Sequence, residues 1–430
     1  MGVSVGSVAT RMAGEKVFGR SVDQEALAND LKVALGGLKG PLMKVAQIMS
    51  TVPDMLPEEY VRNLMELQTN APSMGWPFVK RRMNSELGID WRSNFSEFER
   101  VACYAASLGQ VHKAILHDGS SVACKLQYPD MASAVEADLK QLKLAFAVYK
   151  QYDKAIDPSE IHKELSARLR EELDYELEAK HQNLYAHMMS GESAVYIAKV
   201  VKSLSTNRLL TMDWLDGQPL LSIADKPVGM RNEVARNMFK AWYVPFYFYG
   251  VLHGDPHLGN YSVRDDGAVN LLDFGCVRIF RPEFVKGVLD LYRALKDGDE
   301  ELAVLSYKTW GFQNPSKDLI EVLNHWARFV YGPVMEDRTR KIEETNAAVY
   351  GAQVAAKVHA ELRKIGGVTP PREFVLMDRA AIGLGSVFMH LNAEINWYRL
   401  FQETVGDFDV TELENRQAEA LEKAKLSRPD

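Results

Sequence analysis

The sequence predicts an α+β protein of two lobes: a small antiparallel sheet with inserted helices, then a mainly helical lobe, with a helical extension in front of both. Three observations predict this fold. The first ninety or so residues show helical periodicity, short β-type runs separated by turn signals follow them, and the chain after Gly217 returns to helical patterns. We therefore expect three units, which span residues 1–94, 95–216 and 217–430.

The N-terminal extension is predicted to contain three helices. Pro41 suits the first position of one helix, and a second helix should run from Pro57 through Leu67. The third should cover Trp76 to Leu87, because Gly88 is the residue type that commonly ends a helix.

The predicted sheet begins with three short runs of β-type composition, of which the last two form a hairpin across the turn signal His117–Ser120. Two long helical stretches and two further strands complete this lobe. The three runs are Phe98–Cys103, Leu108–Leu116 and Ser121–Leu126, the helices are Met131–Tyr152 and Pro158–Met188, and the later strands are Ala194–Val201 and Arg208–Trp214.

Composition argues against several classes of protein. The 430 residues are 47% hydrophobic and 25% charged, which supplies material for a large core. A net charge of −7 and a pI near 5.9 do not suggest a nucleic-acid surface, so we expect no nucleic-acid partner. Cys103, Cys124 and Cys276 are odd in number and lack C-x-x-C spacing, which favours a reducing compartment over a disulfide framework or a zinc site.

No segment is predicted to cross a membrane. The most apolar run, Met238–Leu252, is short for a span and contains Lys240 and Pro245, so we interpret it as a buried helix. The N-terminus lacks the charged and apolar regions of a secretory signal. We therefore expect a cytoplasmic protein whose contact with a membrane would be peripheral.

The strongest local signal is the motif H-G-D-P-H-L-G-N at His253–Asn260. It has the spacing of the catalytic loop of protein kinases, in which four residues separate an aspartate from an asparagine. Asp255 would then orient or deprotonate the nucleophile, and Asn260 would reach a metal ion on the phosphates of a nucleotide.

A D-F-G triplet follows the catalytic loop and begins at Asp273, eighteen positions after Asp255. The strands Tyr261–Val263 and Val269–Leu272 fit between the two motifs and are joined by a turn. This hairpin should return Asp273 to the side of Asn260, so that both residues can coordinate Mg²⁺.

Lys125 ends the segment V-A-C-K, which resembles the V-A-I-K strand motif of kinases, and it would hold the α and β phosphates of ATP. Such a lysine needs a carboxylate partner. The predicted helix Pro158–Met188 would present several of them on one face. The helix carries Glu171, Glu172, Asp174, Glu176 and Glu178, of which Glu171, Asp174 and Glu178 have the spacing of one face.

The expected nucleotide loop departs from the glycine-rich kinase pattern, because Ala105, Ala106 and Ser107 stand between the first two strands. Alanine limits how closely the backbone approaches phosphates, although backbone N–H groups remain as donors. The segment Leu210–Gly217 has the position of a kinase hinge. Met212 would be the gatekeeper, and Asp213 and Leu215 would offer backbone groups to adenine.

Together these motifs resemble the UbiB/AarF family of atypical kinases. Three features carry the resemblance: the alanine-rich loop, the catalytic loop H-G-D-P-H-x-G-N, and a K-x-G-Q-type motif in the extension, which reads Lys44-Val-Ala-Gln47 here. Ala46 stands where the family pattern has glycine, which alters packing over the site or fills space.

The resemblance implies a pairing of charges and a metabolic setting. Lys44 would pair with Glu172 and Lys125 with Glu178, while Lys44 and Gln47 would line the cleft from the extension. Members of this family are linked to ubiquinone and isoprenoid lipid metabolism, act at membranes, and show ATPase activity more readily than protein phosphorylation. We therefore expect a Mg²⁺- and ATP-dependent ATPase or small-molecule kinase, with a quinone or isoprenoid lipid as substrate and lipid-biosynthesis proteins as partners.

Three alternatives remain open from the residues alone. Aminoglycoside- and choline-kinase-like phosphotransferases carry a similar catalytic loop, but they lack the extension with Lys44 and Gln47. A nucleotide-gated binding module or chaperone for lipid-modifying enzymes would use the same nucleotide site without transferring phosphate. A metal hydrolase could be built on His253, Asp255 and His257, although no further ligand cluster accompanies them.

Overall fold

The computed structural model describes residues 73–105, 108–152, 155–342 and 347–429. Two of the predicted helices, those beginning at Pro41 and Pro57, lie outside this part of the chain. The same holds for the K-x-G-Q-type motif, with Lys44, Ala46 and Gln47. The third predicted helix is present as α1, Trp76–Leu87, and Gly88 at its end has a φ of 86°, which favours glycine. Phe78, Val79 and Met83 on its inner face are buried against the small sheet.

The small sheet is antiparallel and forms the first lobe. The predicted hairpin is present at its centre, where β3 pairs with β4 and Ile115 faces Ser121 across the turn. The run predicted at Phe98–Cys103 is not one strand, because β1 and β2 pair with opposite ends of β3 and leave an irregular segment between them. The strands are β1 (Glu97–Phe98), β2 (Tyr104–Ala105), β3 (Gly109–Ile115), β4 (Ser121–Gln127) and β6 (Leu209–Asp213).

The inserted helices differ from the prediction at one point. Helix α2 spans Met131–Tyr152 as predicted, but the stretch predicted from Pro158 to Met188 is two helices, α3 (Ser159–Glu171) and α4 (Tyr175–Met188). Asp174 causes the break, because its Oδ1 accepts hydrogen bonds from the N–H groups of Glu176 and Leu177 and caps α4. The acidic residues between Glu171 and Glu178 therefore do not share one helical face.

A second sheet lies in the larger lobe and includes a strand from the preceding region. Strand β5 (Val195–Ile197) runs parallel to β10 (Val269–Leu271), which pairs with β9 (Tyr261–Val263), and β7 (Gln218–Pro219) completes the sheet. The predicted hairpin before the D-F-G triplet is thus present. The strand predicted at 194–201 joins this sheet rather than the small one.

Helices form most of the second lobe, as predicted, and surround one large apolar core. Helix α5 (Val228–Tyr249) contains most of the run interpreted as a buried helix, and its inner residues are buried. Gly250 ends α5 in the left-handed region, and β8 (Val251–His253) then enters the catalytic motif and pairs with β11 (Val277–Ile279). The remaining helices are α6 (Pro282–Asp297), α7 (Glu300–Thr309), α8 (Lys317–Met335), α9 (Ala347–Lys364), α10 (Arg372–Leu391), α11 (Trp397–Val405) and α12 (Val410–Ala424).

Helix α10 is the segment of the described chain that has the length and apolar composition of a membrane span, and a third of it (33%) is buried. Core helices share these properties, so composition alone is weak evidence for a span. This segment is not Met238–Leu252, which is the most apolar run in the sequence and was predicted to be a buried helix. The α+β fold with two lobes is otherwise as predicted.

Candidate active site

Lys125 lies near the end of β4 and contacts two carboxylates. Its Nζ donates to both oxygens of Glu178, at 2.6 and 2.9 Å, and to Asp273 Oδ2 at 3.1 Å. Glu178 is on α4 and Asp273 opens the D-F-G triplet, so this one ammonium joins the two lobes. The pairing of Lys125 with Glu178 that the family resemblance implies is therefore present as a direct contact.

The two carboxylates determine the charge state of Lys125. Burial disfavours its ammonium, but Asp273 and Glu178 outweigh this effect and hold the pKa of Lys125 well above its usual value. Burial also raises the pKa of the Glu178 carboxyl, and the Lys125 charge opposes that rise. Lys125 therefore carries a full positive charge in the cleft at neutral pH, which is the charge that nucleotide phosphates need.

A second contact joins α4 to the D-F-G triplet. His181, one turn after Glu178, hydrogen-bonds through Nδ1 to the Phe274 carbonyl at 3.2 Å. Burial lowers the pKa of His181 to about 4, so the ring is neutral and its Nδ1–H donates. The Phe274 ring is fully buried and packs 5.0 Å from Tyr185 of the same helix. Helix α4 thus fixes both the backbone and the side chains of the triplet.

His253 connects the catalytic loop to the same triplet. Its Nδ1 accepts the N–H of Asp255 at 3.3 Å, and its Nε2 contacts the Asp273 carbonyl at 2.5 Å. The second contact requires Nε2 to carry the proton. Both ring nitrogens therefore serve backbone groups, and this use does not fit the metal-hydrolase alternative, in which His253 would be a ligand.

The side chains of Asp255 and Asn260 face each other across the catalytic loop. Asn260 Nδ2 donates to the Asp255 carbonyl at 2.9 Å and to Asp255 Oδ2 at 3.3 Å, which leaves the amide oxygen as the atom that can reach a metal ion. The Leu272 N–H donates to the Asn260 carbonyl at 3.0 Å, so the hairpin returns Asp273 beside Asn260 as predicted.

Asp255 has a further partner that the sequence analysis missed. Arg379 Nη2 donates to Asp255 Oδ1 at 3.1 Å, and Arg379 comes from α10, 124 residues along the chain. Asp378 and Arg379 are the charged residues in the middle of an otherwise apolar helix. Charged groups in such a position need a buried partner, and this was the available sequence signal.

Tyr175 is the second site residue that the sequence analysis missed. Its buried ring lies 5.1 Å from Lys125 Nζ, a cation–π distance. Nothing in its sequence context distinguishes it from an ordinary core tyrosine.

Two of the residues predicted to contact adenine lie at an apolar cluster: Met212 belongs to it with Ala123 and Leu210, and Leu215 and Val111 pack against it. Met212, the predicted gatekeeper, is buried, and Gln182 Nε2 contacts its Sδ at 3.4 Å. The N–H of Asp213 is bonded to the Lys199 carbonyl, so only its own carbonyl could serve adenine.

The predicted loop and acidic residues are only partly described. Ala105 is at the end of β2, whereas Ala106 and Ser107 lie outside the described residues. Glu172 follows α3 and is buried. A Cβ built on Gly275 would lie 3.5 Å from Glu172 Cγ, so Glu172 lies close to the D-F-G triplet. Whether Lys44 reaches it stays a prediction.

The chemistry of the side chains fits a magnesium ion. Asp273 supplies a carboxylate that is 33% exposed, and Asn260 supplies an amide oxygen. Within the described residues, no group of three or more His, Cys, Asp or Glu side chains is arranged to hold a metal. A nucleotide-bound Mg²⁺ needs no such group, because phosphates and water complete its coordination.

Comparison with known proteins places this geometry in a family. Residues 66–306 match the family described as ABC1 atypical kinase-like domain. The chain is 28% identical over 298 residues to "Atypical kinase coq-8, mitochondrial" of Caenorhabditis elegans, covering 67% of this chain and 39% of that protein. It is 30% identical over 271 residues to "AarF domain-containing protein kinase 1" of Gallus gallus. This match covers 61% of this chain and 52% of the chicken protein.

One longer match and one solved structure extend the comparison. The rat protein "Atypical kinase COQ8B, mitochondrial" is 27% identical over 393 residues, covering 88% of this chain and 72% of its own. The Rv3197–erythromycin complex from Mycobacterium tuberculosis is similar with a TM-score of 0.61 and 26% identity, covering 89% of this chain and 96% of that one. Several of the curated relatives are much longer, and this chain spans about two fifths of the nematode protein and half of the chicken protein.

Proposed function

Since the chain belongs to the ABC1 atypical kinase-like family, which includes proteins named for COQ8 and AarF, we propose that it binds Mg²⁺-ATP and cleaves the γ-phosphate, as an ATPase or a small-molecule kinase. The family match covers more than half of the chain. This match favours an atypical kinase or ATPase over an aminoglycoside- or choline-kinase-like enzyme.

The observation that carries the proposal is the contact of one ammonium with two carboxylates from different lobes. Lys125 is held by Glu178 on one side and by Asp273 on the other, with distances of 2.6 and 3.1 Å. A lysine fixed in this way can hold phosphates, and Asp273 would hold a metal ion beside them. Asn260 would supply the second protein ligand to Mg²⁺, whose charge would neutralise the β and γ phosphates.

The reaction then needs few further groups. An oxygen of water or of a substrate hydroxyl attacks the γ-phosphorus, and the bond between that phosphorus and the β–γ bridging oxygen breaks. ADP leaves with the bond electrons, and Asp255 accepts the proton of the nucleophile. Met212, the Asp213 carbonyl and Leu215 would form the adenine wall, while Ala105, Ala106 and Ser107 would cover the phosphates. Lys44 and Gln47 would line the cleft from the extension, with Lys44 paired to Glu172 at the end of α3.

We further propose that this activity supports ubiquinone or isoprenoid lipid chemistry, with a quinone or isoprenoid lipid as substrate and lipid-biosynthesis proteins as partners. The relatives named for COQ8 support this setting. Membrane contact is proposed to be peripheral, because the most membrane-like helix, α10, contributes Arg379 to the catalytic loop.

The proposal is tested by ATP binding and turnover of the pure protein with and without Mg²⁺. Asp273→Asn should lower turnover by roughly 10²–10³-fold, because the metal loses its charged ligand. Asp265→Asn is the matched control, since Asp265 is exposed on the turn between β9 and β10. Equal turnover in wild type and Asp273→Asn would reject the metal assignment, and no binding by wild type would reject the function.

A further inference from the structure

The catalytic loop carries an aspartate but no permanently charged cation. Its sequence, His253 to Asn260, contains neither lysine nor arginine. The Asp255 carboxylate is nevertheless nearly buried, with 10% of its side chain exposed. A buried carboxylate requires hydrogen-bonded or charged partners, so the loop depends on other elements for a positive charge.

Arg379 brings this charge to the loop. Its Nη2 lies 3.1 Å from Asp255 Oδ1, while the other carboxylate oxygen, Oδ2, accepts from Asn260 Nδ2 at 3.3 Å. The two donors approach different oxygens of the same carboxylate. They therefore restrict its rotation as well as its position.

Helix α10 packs against the residues on both sides of Asp255, and this packing determines the position of Arg379. A Cβ built on Gly254 would lie 3.1 Å from Leu376 Cδ2, and a Cβ built on Gly383 would lie 2.4 Å from Pro256 Cγ. Leu376, Arg379 and Gly383 follow one another at helical spacing and share a face. The helix thus contacts the residue before Asp255, Asp255 itself and the residue after it.

Two features argue that the pair is more than a stabilising contact. Buried ion pairs contribute little net stability compared with apolar residues of similar volume, so stability alone does not account for one here. Arginine cannot lose its proton in a protein, so Arg379 keeps a positive charge on the Oδ1 side of the carboxylate while Asn260 holds the Oδ2 side. A catalytic carboxylate needs this kind of orientation, because small displacements of reacting groups lower rates strongly.

We propose that Arg379 is a positioning residue for phosphoryl transfer, which orients the Asp255 carboxylate toward the nucleophile from outside the catalytic loop. This inference rests on the proposed function, since it gives Asp255 its role. Arg379 acts through Asp255. Its loss should therefore slow the chemical step and leave nucleotide binding in place.

The test measures kcat for ATP hydrolysis and the Kd of Mg²⁺-ATP in parallel. Arg379→Gln should lower kcat by roughly 10²-fold, because an aspartate that is no longer oriented loses much of its general-base contribution. The Kd should stay near the wild-type value, which would show that the variant is folded. Arg379→Lys, which keeps the charge but not the fork, should recover part of the lost rate.

Arg372→Gln is the matched control. Arg372 lies two turns before Arg379 on α10 and also binds a buried carboxylate, with its Nη2 2.7 Å from Glu164 Oε2. Glu164 keeps a second partner in Arg168, at 3.0 Å. Arg372→Gln should therefore leave kcat near the wild-type value.

Chemical rescue separates positioning from packing. Added guanidinium ion, below denaturing concentration, should raise kcat of Arg379→Ala in a saturable way and leave Arg372→Ala unchanged. An Arg379→Gln protein with wild-type kcat would overturn the inference, and so would a parallel loss of kcat and nucleotide binding without guanidinium rescue. Wild-type protein that neither binds nor hydrolyses Mg²⁺-ATP would instead defeat the proposed function.

Discussion

The two aspartates of the candidate site are held in different ways. Asp273 contacts Lys125, an ammonium that it shares with Glu178, and the Asp273 side chain is 33% exposed. Asp255 contacts Arg379, and both of these side chains are about 10% exposed. One carboxylate is therefore accessible and shares its cation with a second carboxylate, whereas the other is enclosed by protein together with its cation.

The difference matches what each aspartate would have to do. A metal ligand must release its cation when Mg²⁺ and phosphates arrive, and Lys125 can remain with Glu178 when that happens. A proton acceptor must keep its orientation throughout, and a buried guanidinium maintains it. The comparison leads us to expect that side chains on the phosphate side of the cleft rearrange when nucleotide binds, while the transfer side, around Asp255 and Arg379, keeps its geometry.

The largest effect should follow from breaking the shared cation. Lys125→Met leaves Glu178 and Asp273 without their ammonium, so we expect loss of measurable ATP turnover and destabilisation by about 3–5 kcal/mol. Urea unfolding and a turnover assay check both effects. Lys113→Met on the neighbouring strand is the control, because Lys113 contacts the Trp214 ring rather than a site carboxylate.

A double variant sharpens this prediction. Lys125→Met with Glu178→Gln removes the more buried of the two uncompensated charges and should regain part of the stability, while turnover stays absent. No recovery of stability in the double variant would mean that the pair is held by something other than charge.

An intermediate effect should come from pushing α10 away from the catalytic loop. Gly383→Ala places a Cβ against the ring of Pro256, which cannot swing aside, so we expect a cost of about 1–3 kcal/mol. Turnover should fall by roughly tenfold or more as Asp255 shifts with the loop.

Gly385→Ala on the same helix is the control for that change. In the part of the chain that the structure describes, no atom other than those of its chain neighbours and the surrounding backbone of α10 lies within 4 Å of a Cβ built at Gly385. Alanine is a better helix former than glycine, so this variant should be as stable as wild type or more stable by up to about 1 kcal/mol. A wild-type rate of ATP turnover in Gly383→Ala would contradict the expectation that the transfer side, around Asp255 and Arg379, must keep its geometry.

The smallest effect is expected from Tyr175→Phe on the phosphate side. The Tyr175 hydroxyl is buried and has no hydrogen-bond partner among the described residues, while the ring contacts Lys125. Removing the hydroxyl should leave turnover unchanged and stability equal or raised by about 1 kcal/mol. Tyr175→Leu, which loses the ring, should lower thermal stability. Equal damage from both variants would show that the hydroxyl has a function.

The sequence predicted the residues whose positions are set by short connections. Asp255, Asn260 and Asp273 are joined by a tight loop and one hairpin, so their spacing constrains their geometry. Lys125 follows from a hairpin strand in the same way. The helix predicted at about Trp76 to Leu87 is present with these bounds, and Gly88 is the sequence signal for its end.

The sequence analysis failed where distant elements or competing local signals decide the structure. The residues Glu172 to Asp174 suit a continuous helix, but the side chain of Asp174 caps a new one and turns the chain. The pairing of β5 with β10 and the contact of Arg379 with Asp255 join residues far apart in sequence. Periodicity and motif spacing contain no information on such contacts.

A crystal structure of the protein with Mg²⁺ and a non-hydrolysable ATP analogue tests the central claim most directly. We predict a metal ion about 2.0–2.1 Å from oxygens of Asp273 and Asn260, with the phosphates on Lys125 and Arg379 still bound to Asp255. A metal ion held by other side chains, or a nucleotide bound away from Lys125, would contradict this account.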